Sequence, residues 1–141
     1  MNLAVIGSGG REHAICYKLK QSPKIKRLFC IPGNAGTKKI AKNIKEDISN
    51  FDALYEIIKK QNIDLVVVGP EQPLVDGLVD YLNKKKVKVF GPNKFASQLE
   101  GSKAFMKNLC KKNNIPTANF GIFNNFKNAS KFIKKNNLPI V

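Results

Sequence analysis

The amino-acid sequence predicts an α/β fold built on a doubly wound parallel sheet. Three observations predict it. Short apolar runs alternate with segments of helical period in a repeated β-α-β order. One run, Leu65-Val66-Val67-Val68, is apolar without interruption, as suits a parallel strand covered on both faces. The runs ending at Ile6, Ile31, Val68 and Phe90 each lead into a Gly/Pro-rich loop, and right-handed crossovers put those loops on one edge of the sheet.

Each element has its own signal. Residues 2–6 read as a buried strand running into glycine. Residues 10–21 carry Ala14, Ile15, Tyr17, Lys18 and Leu19 at helical spacing, and Ser22-Pro23 ends that helix. Residues 27–31 form a second strand, closed by Pro32-Gly33-Asn34-Ala35-Gly36. After a stretch of weak pattern, residues 51–62 place Leu54, Ile57 and Ile58 on one helical face. Residues 64–68 are a strand, with Gly69-Pro70-Glu71-Gln72-Pro73 as its exit loop. A helix over 74–85, a strand over 87–90 and the loop Gly91-Pro92-Asn93 follow. The pattern then changes. Residues 95–113 are helical with an interruption near Gly101, 119–123 read as a strand, 127–136 as a helix, and Leu138-Pro139-Ile140-Val141 as the opening of another strand. The expected domains are therefore 1–101 and a second, incomplete one over 102–141.

Composition narrows the function. With 141 residues, 43% apolar and 25% charged, the chain has an ordinary globular make-up and enough length for a core without staples. No apolar run approaches the ~20 residues of a membrane span. The opening Met1–Gly7 segment lacks the basic region of a signal peptide. Three widely spaced cysteines (Cys16, Cys30, Cys110) suggest neither a disulfide framework nor a zinc site, which points to a reducing compartment and a cytoplasmic location. The formal net charge of +15 invites a nucleic-acid reading, but it comes from 23 lysines and only 2 arginines, beside 16 Asn and 14 Ile. Phosphate and base recognition favours the arginine fork. A Lys-Asn-Ile excess is what AT-rich coding produces on any surface. No nucleic acid and no membrane is expected as a partner, and Arg11 becomes the informative cation.

The loop Gly7-Ser8-Gly9-Gly10-Arg11-Glu12-His13 leads from a strand into a helix, where backbone N–H groups and the helix N-terminus can hold an anion. It is not the dinucleotide fingerprint: the third glycine of G-x-G-x-x-G would fall at Glu12, and Ile31-Pro32-Gly33 stands where an acid for the ribose belongs. It is not a P-loop either. Gly9, Gly10 and Arg11 read as a sugar-phosphate site. Glu12 is a ligand or a first-turn acid favoured by the helix dipole; His13 is a ligand or a cap. Gly33 and Asn34 either lend N–H groups to the same ligand or form a rigid turn. Glu71, an acid in a Gly/Pro loop at the ligand edge, suits an amine or sugar hydroxyls, or else is solvated. Lys103, near a helix start where a cation is disfavoured, suits a nucleotide phosphate. No catalytic residue and no metal ligand is assigned.

Four segments in register, residues 7–14, 32–36, 68–74 and 99–107, together resemble the N-terminal part of the phosphoribosylamine–glycine ligases, also called glycinamide ribonucleotide synthetases. The resemblance implies a Rossmann-like domain preceding an ATP-grasp domain that starts near Ser102. It implies a carbon–nitrogen ligase of purine synthesis: ATP, with Mg²⁺ or Mn²⁺, phosphorylates the glycine carboxylate, and the amine of 5-phosphoribosylamine attacks the acyl phosphate, giving glycinamide ribonucleotide, ADP and phosphate. By position, Gly9, Gly10 and Arg11 would hold the phosphoribosyl group, Glu71 its amine or ribose, and Lys103 the ATP phosphates. Family members are considerably longer, so this stretch is expected to be inactive alone and to need the C-terminal part of the ligase as its partner. The alternatives are a non-catalytic sugar-phosphate-binding module, an NAD-dependent oxidoreductase domain and a nucleic-acid binder.

Overall fold

The structure, a computed structural model, describes residues 1–136. They fall into two compact units, one of Met1–Gly101 and one beginning at Ser102. The first unit holds a five-stranded, all-parallel sheet: β1 (Asn2–Gly7), β2 (Arg27–Pro32), β3 (Lys42–Asn43), β4 (Leu65–Val68) and β5 (Val89–Phe90), in spatial order β3-β2-β1-β4-β5. β1 is central. It pairs with β2 from Asn2↔Arg27 to Gly7↔Pro32, and with β4 from Leu3↔Leu65 to Ile6↔Val68. The strand order reverses direction between β1 and β4, so the carboxyl ends of these two strands flank the place where such sheets take ligands.

Alternation along the strands divides the core in two. Ala4, Ile6, Phe29, Ile31, Val66 and Val68 face one way and pack on Leu54 and Ile58 of α2 (Phe51–Lys60), Leu74 of α3 (Glu71–Asp76) and Leu78, Val79 and Leu82 of α4 (Leu78–Lys84). Leu3, Val5, Leu28 and Cys30 face the other way, onto Cys16, Ile15 and Leu19 of α1 (Gly10–Lys20). Both faces are thus covered, as a doubly wound sheet requires. α2 starts where Asn50 accepts the Ala53 N–H at 3.1 Å, a side-chain cap.

Several expectations are corrected. The helix expected over 74–85 is two helices. Gly77 adopts φ 100°, a left-handed conformation costly for any residue with a Cβ, and its N–H donates to the Pro73 and Leu74 carbonyls, ending α3 before α4 begins. Glu71, Gln72 and Pro73 are not loop but the first turn of α3, where proline forfeits no helical hydrogen bond. The weakly patterned stretch contains a 3₁₀ turn (Thr37–Lys39) and β3, too short to carry a periodicity. β5 is shorter than expected because the Val87 N–H still donates to Leu82 O at 3.0 Å, in the turn out of α4.

In the second unit, the helical stretch around Gly101 does divide there: α5 (Lys94–Gly101) closes the first unit and α6 (Lys103–Lys112) opens the second, capped by Ser102 Oγ accepting the Phe105 N–H at 3.2 Å. α7 (Phe126–Lys135) is capped by Asn125, and Phe132 packs against Phe123 at a ring separation of 5.1 Å. The strand expected over 119–123 is not formed: among the described residues it finds no ladder partner, without which a strand leaves its backbone groups unpaired. The expected strand at 138–141 lies outside the described residues. Among the described residues no helix is long and apolar enough to cross a membrane.

Candidate functional site

The site is built at the carboxyl ends of β1, β2 and β4. Gly7 ends β1 at φ 126°, and its carbonyl accepts the Gly33 N–H at 3.1 Å from the loop after β2; the Gly69 N–H, after β4, donates to Ile6 O at 3.1 Å. Three exit loops are thereby tied to one strand. α1 then starts at Gly10 with Gly9 as an extended N-cap that has no capping side chain. Ser8, Gly9, Gly10 and Arg11 are exposed, so the backbone of this helix start faces solvent, as an anion site must.

Arg11 reaches across the mouth of this loop. Its Nη2 donates to Glu71 Oε2 at 2.8 Å, joining the first turn of α1 to the first turn of α3. Both side chains are well exposed, 61% and 40%. The Arg11 guanidinium, and next the backbone N–H of Glu71 itself, hold the Glu71 carboxyl at about 2, far below the ordinary 4.5. The same pairing raises the Arg11 guanidinium, with smaller contributions from Glu12 and Glu100. Sequence reasoning missed Glu100 as part of this site. α5 brings it beside Glu71, where the two carboxylates border a recess of about 260 Å³ floored by Leu74, Pro92, Ala96 and Leu99. The signal was its place in the 99–107 segment; only the packing of α5 on α3 shows which way it faces.

The remaining expected residues fare differently. Glu12 is not solvated: it is 3% exposed, and its Oε2 accepts the Gly9 N–H at 2.6 Å. Gly33 and Asn34 adopt the geometry of the rigid-turn reading. The Gly33 N–H is spent on Gly7, and the Asn34 N–H donates to Thr37 Oγ1 at 2.7 Å. Asn34 Nδ2 donates to Ser8 O at 2.7 Å while its Oδ1 accepts the Thr37 N–H, so the side chain clasps the loop after β2 to the loop after β1. His13 is exposed, with its ring against Gly36, where a Cβ would fall 3.0 Å from Cε1. Beneath the loop the Cys30 thiol donates to Gly7 O at 3.4 Å, and Cys16, hydrogen-bonded to Cys30 and buried, is pushed up from the ordinary thiol value. Lys103 lies in the other unit, exposed on the first turn of α6, beside a cavity of about 510 Å³ that Met106, Lys107, Phe120 and Phe132 also line.

This arrangement offers an open backbone anion cradle, one guanidinium and an acid held ionised. The model of the phosphoribosylglycinamide synthetase N domain matches residues 1–100. The chain belongs to the phosphoribosylglycinamide synthetase family. The ATP-grasp (A) domain of the same family matches residues 101–141. A phosphoribosylamine–glycine ligase from Clostridium acetobutylicum is 46% identical across 100% of this chain, which covers 34% of that protein. A crystal structure of the phosphoribosylamine–glycine ligase from Thermotoga maritima is 30% identical, with a TM-score of 0.69, over 96% of this chain and 30% of its own. N5-carboxyaminoimidazole ribonucleotide synthetase from Thermotoga maritima, at 16% identity and a TM-score of 0.71 over 93% of this chain and 36% of its own, shares the fold alone. The chain thus spans about a third of the length of the curated relatives it matches. Membership of the phosphoribosylglycinamide synthetase family accounts for the α/β sheet.

Proposed function

We propose that residues 1–101 are the phosphoribosylamine-binding domain, and residues from 102 the opening of the ATP-grasp domain, of a ligase joining glycine to 5-phosphoribosylamine with ATP. The observation that carries this is the Arg11–Glu71 pair at the mouth of the Gly9-Gly10 loop. A 5-phosphate seated on the backbone N–H groups at the start of α1 is neutralised by the helix dipole and by Arg11. The sugar then extends toward Glu71, whose carboxylate, ionised at any physiological pH, accepts hydrogen bonds from the ribose or the amine. Holding that amine in one place is this domain's contribution to the ligation, since orientation removes much of the entropic barrier to attack. Lys103 is assigned to ATP phosphates by the family resemblance.

ATP with Mg²⁺ or Mn²⁺ would supply the activation of the glycine carboxylate. The residues of this chain do not fit the metal: residues 102–141 contain no Asp or Glu, and among the described residues no three His, Cys, Asp or Glu side chains gather as a cation site. The metal ligands are therefore assigned to the rest of the longer protein, and ligation to that protein rather than to these residues alone.

Calorimetric titration of the 141-residue chain with ribose 5-phosphate tests the reading. Binding is expected, and Arg11→Ala should weaken it about ten- to a hundredfold, the scale of a hydrogen bond to a charged group. Absence of binding to the wild-type chain, or equal binding by both proteins, refutes it.

A further inference from the structure

We propose that Glu12 is a specificity residue: its side chain fills the crevice between the ends of β1 and β4, so that the loop accepts a single terminal phosphate and rejects the bridging diphosphate of a dinucleotide. The inference rests on the phosphoribosyl reading of the loop and deepens it.

Glu12 stands where a dinucleotide-binding loop carries its third glycine, the residue that lets helix and strands approach closely. Here the space that glycine would leave open is occupied. A Cβ at Gly7 would fall 2.6 Å from Glu12 Cγ and 2.8 Å from Cδ; one at Gly9 would fall 2.9 Å from Oε2; one at Gly69 would overlap Oε1 outright. Three glycines, from the ends of β1 and β4 and the N-cap of α1, thus wall in one carboxylate at the point where the strand order reverses. The Gly9 N–H, one of the donors a diphosphate would use, is already bound to Glu12 Oε2 at 2.6 Å.

The bond from the Gly9 N–H to Oε2 is the N3 half of a capping box and accounts for one oxygen of the side chain. The other is not accounted for: Oε1 is buried without a hydrogen-bond partner, a costly state for a carboxylate oxygen. Burial of that oxygen in so confined a place is explained if the group's bulk acts at the ligand edge. With the crevice filled, the anion donors left to the loop are those at the outer start of α1 and the Arg11 side chain. They surround one phosphate whose ester carbon points toward Glu71, and they leave no room for a second phosphate passing inward over β1.

The test is the ratio of dissociation constants for ADP-ribose and ribose 5-phosphate, measured on the 141-residue chain. Wild type should prefer ribose 5-phosphate. Glu12→Gly should narrow the preference by at least about tenfold, the scale on which pocket volume discriminates ligands, chiefly by gaining ADP-ribose. Glu12→Gln keeps the volume and an oxygen for the Gly9 N–H, so its ratio should stay near wild type. Glu12→Ala carries the same expectation as Glu12→Gly should the glycine variant fail to fold. A folded Gly or Ala variant with the wild-type ratio overturns the inference, as does a Gln variant that loses the preference, since charge and not volume would then be responsible. A wild-type chain that binds both ligands equally sinks the role of Glu12 while leaving the phosphoribosyl site standing. One that binds neither sinks the site itself, and this inference with it.

Discussion

Gly69→Ala isolates the packing at Glu12 from every effect of a ligand. Gly69 does not lie in the left-handed region, so an alanine can adopt its backbone conformation. At such a position Gly→Ala by itself stabilises, by about 0.4–1 kcal/mol, through the unfolded chain. The new methyl, however, would overlap Glu12 Oε1 and lie 2.6 Å from Cγ and 2.8 Å from Cδ. Glu12 cannot swing aside cheaply: it is 3% exposed, tied to the Gly9 N–H and backed by Gly7. Overpacking of this kind costs about 1–3 kcal/mol, so the net effect is destabilising, and Tm should fall by several degrees, given about 4–8 °C per kcal/mol for a domain this size. In a Glu12→Ala background the obstacle is gone, and the same substitution should be neutral or stabilising. Urea or thermal unfolding of the four proteins of this double-mutant cycle gives the coupling directly. An equal loss from Gly69→Ala in both backgrounds would show that the Glu12 carboxylate is not what fills this space.

Two further outcomes follow from the electrostatics and the burial. By carboxyl carbon NMR, Glu71 should titrate at about 2 rather than the ordinary 4.5, and move up toward 4.5 in Arg11→Ala. Because the folded value is the depressed one, whatever the pair contributes to stability is complete above about 4.5 and disappears as pH falls through about 2; a wild-type midpoint near 4.5 would refute the pairing. Of the three thiols, Cys16 and Cys30 are fully buried and Cys110 only partly, so an aromatic disulfide reagent should modify one cysteine rapidly in the native protein and all three in denaturant; rapid loss of two or more thiols from the native chain would contradict the packing of α1 on β2.

What was legible in the sequence was whatever repeats along the chain. Leu65–Val68 announces a strand buried on both faces because every residue meets a covering helix, and the glycine-rich exits announce the ligand edge because parallel connections return there. What was not legible depends on single positions. One glycine, Gly77, splits α3 from α4 without disturbing the apolar spacing of Leu74, Leu78 and Leu82, so the pattern reads as continuous. Pro73 reads as a loop residue until its place in the first turn of α3 is known. The strand expected at 119–123 failed for the opposite reason: local composition suits a strand, but among the described residues it has no neighbour to pair with. At the site, Arg11 was identifiable as the rare cation and Glu71 as the lone acid of its loop. The burial of Glu12 was not, because it needs Gly69, fifty-seven positions away, to make room. The engagement of Gly33 and Asn34 with their own neighbours was equally hidden.

The charge pattern bears on why the carboxylates matter most here. Residues 1–101 carry 17 Lys and Arg against all ten acids, and residues 102–141 carry eight lysines against none. In such a field every anion is attracted, with or without a site, and attraction alone chooses nothing. Discrimination then has to come from groups that exclude or orient, which is a difference of affinities rather than a sum of attractions. In the role proposed for it, Glu71 orients, by fixing Arg11 at 2.8 Å and presenting an ionised acceptor beside it. In the role proposed for it, Glu12 excludes, by filling the space between Gly7, Gly9 and Gly69 and taking up one N–H donor. Neither proposed role depends on the lysine excess of the rest of the sequence, because one rests on a single ion pair and the other on occupied volume.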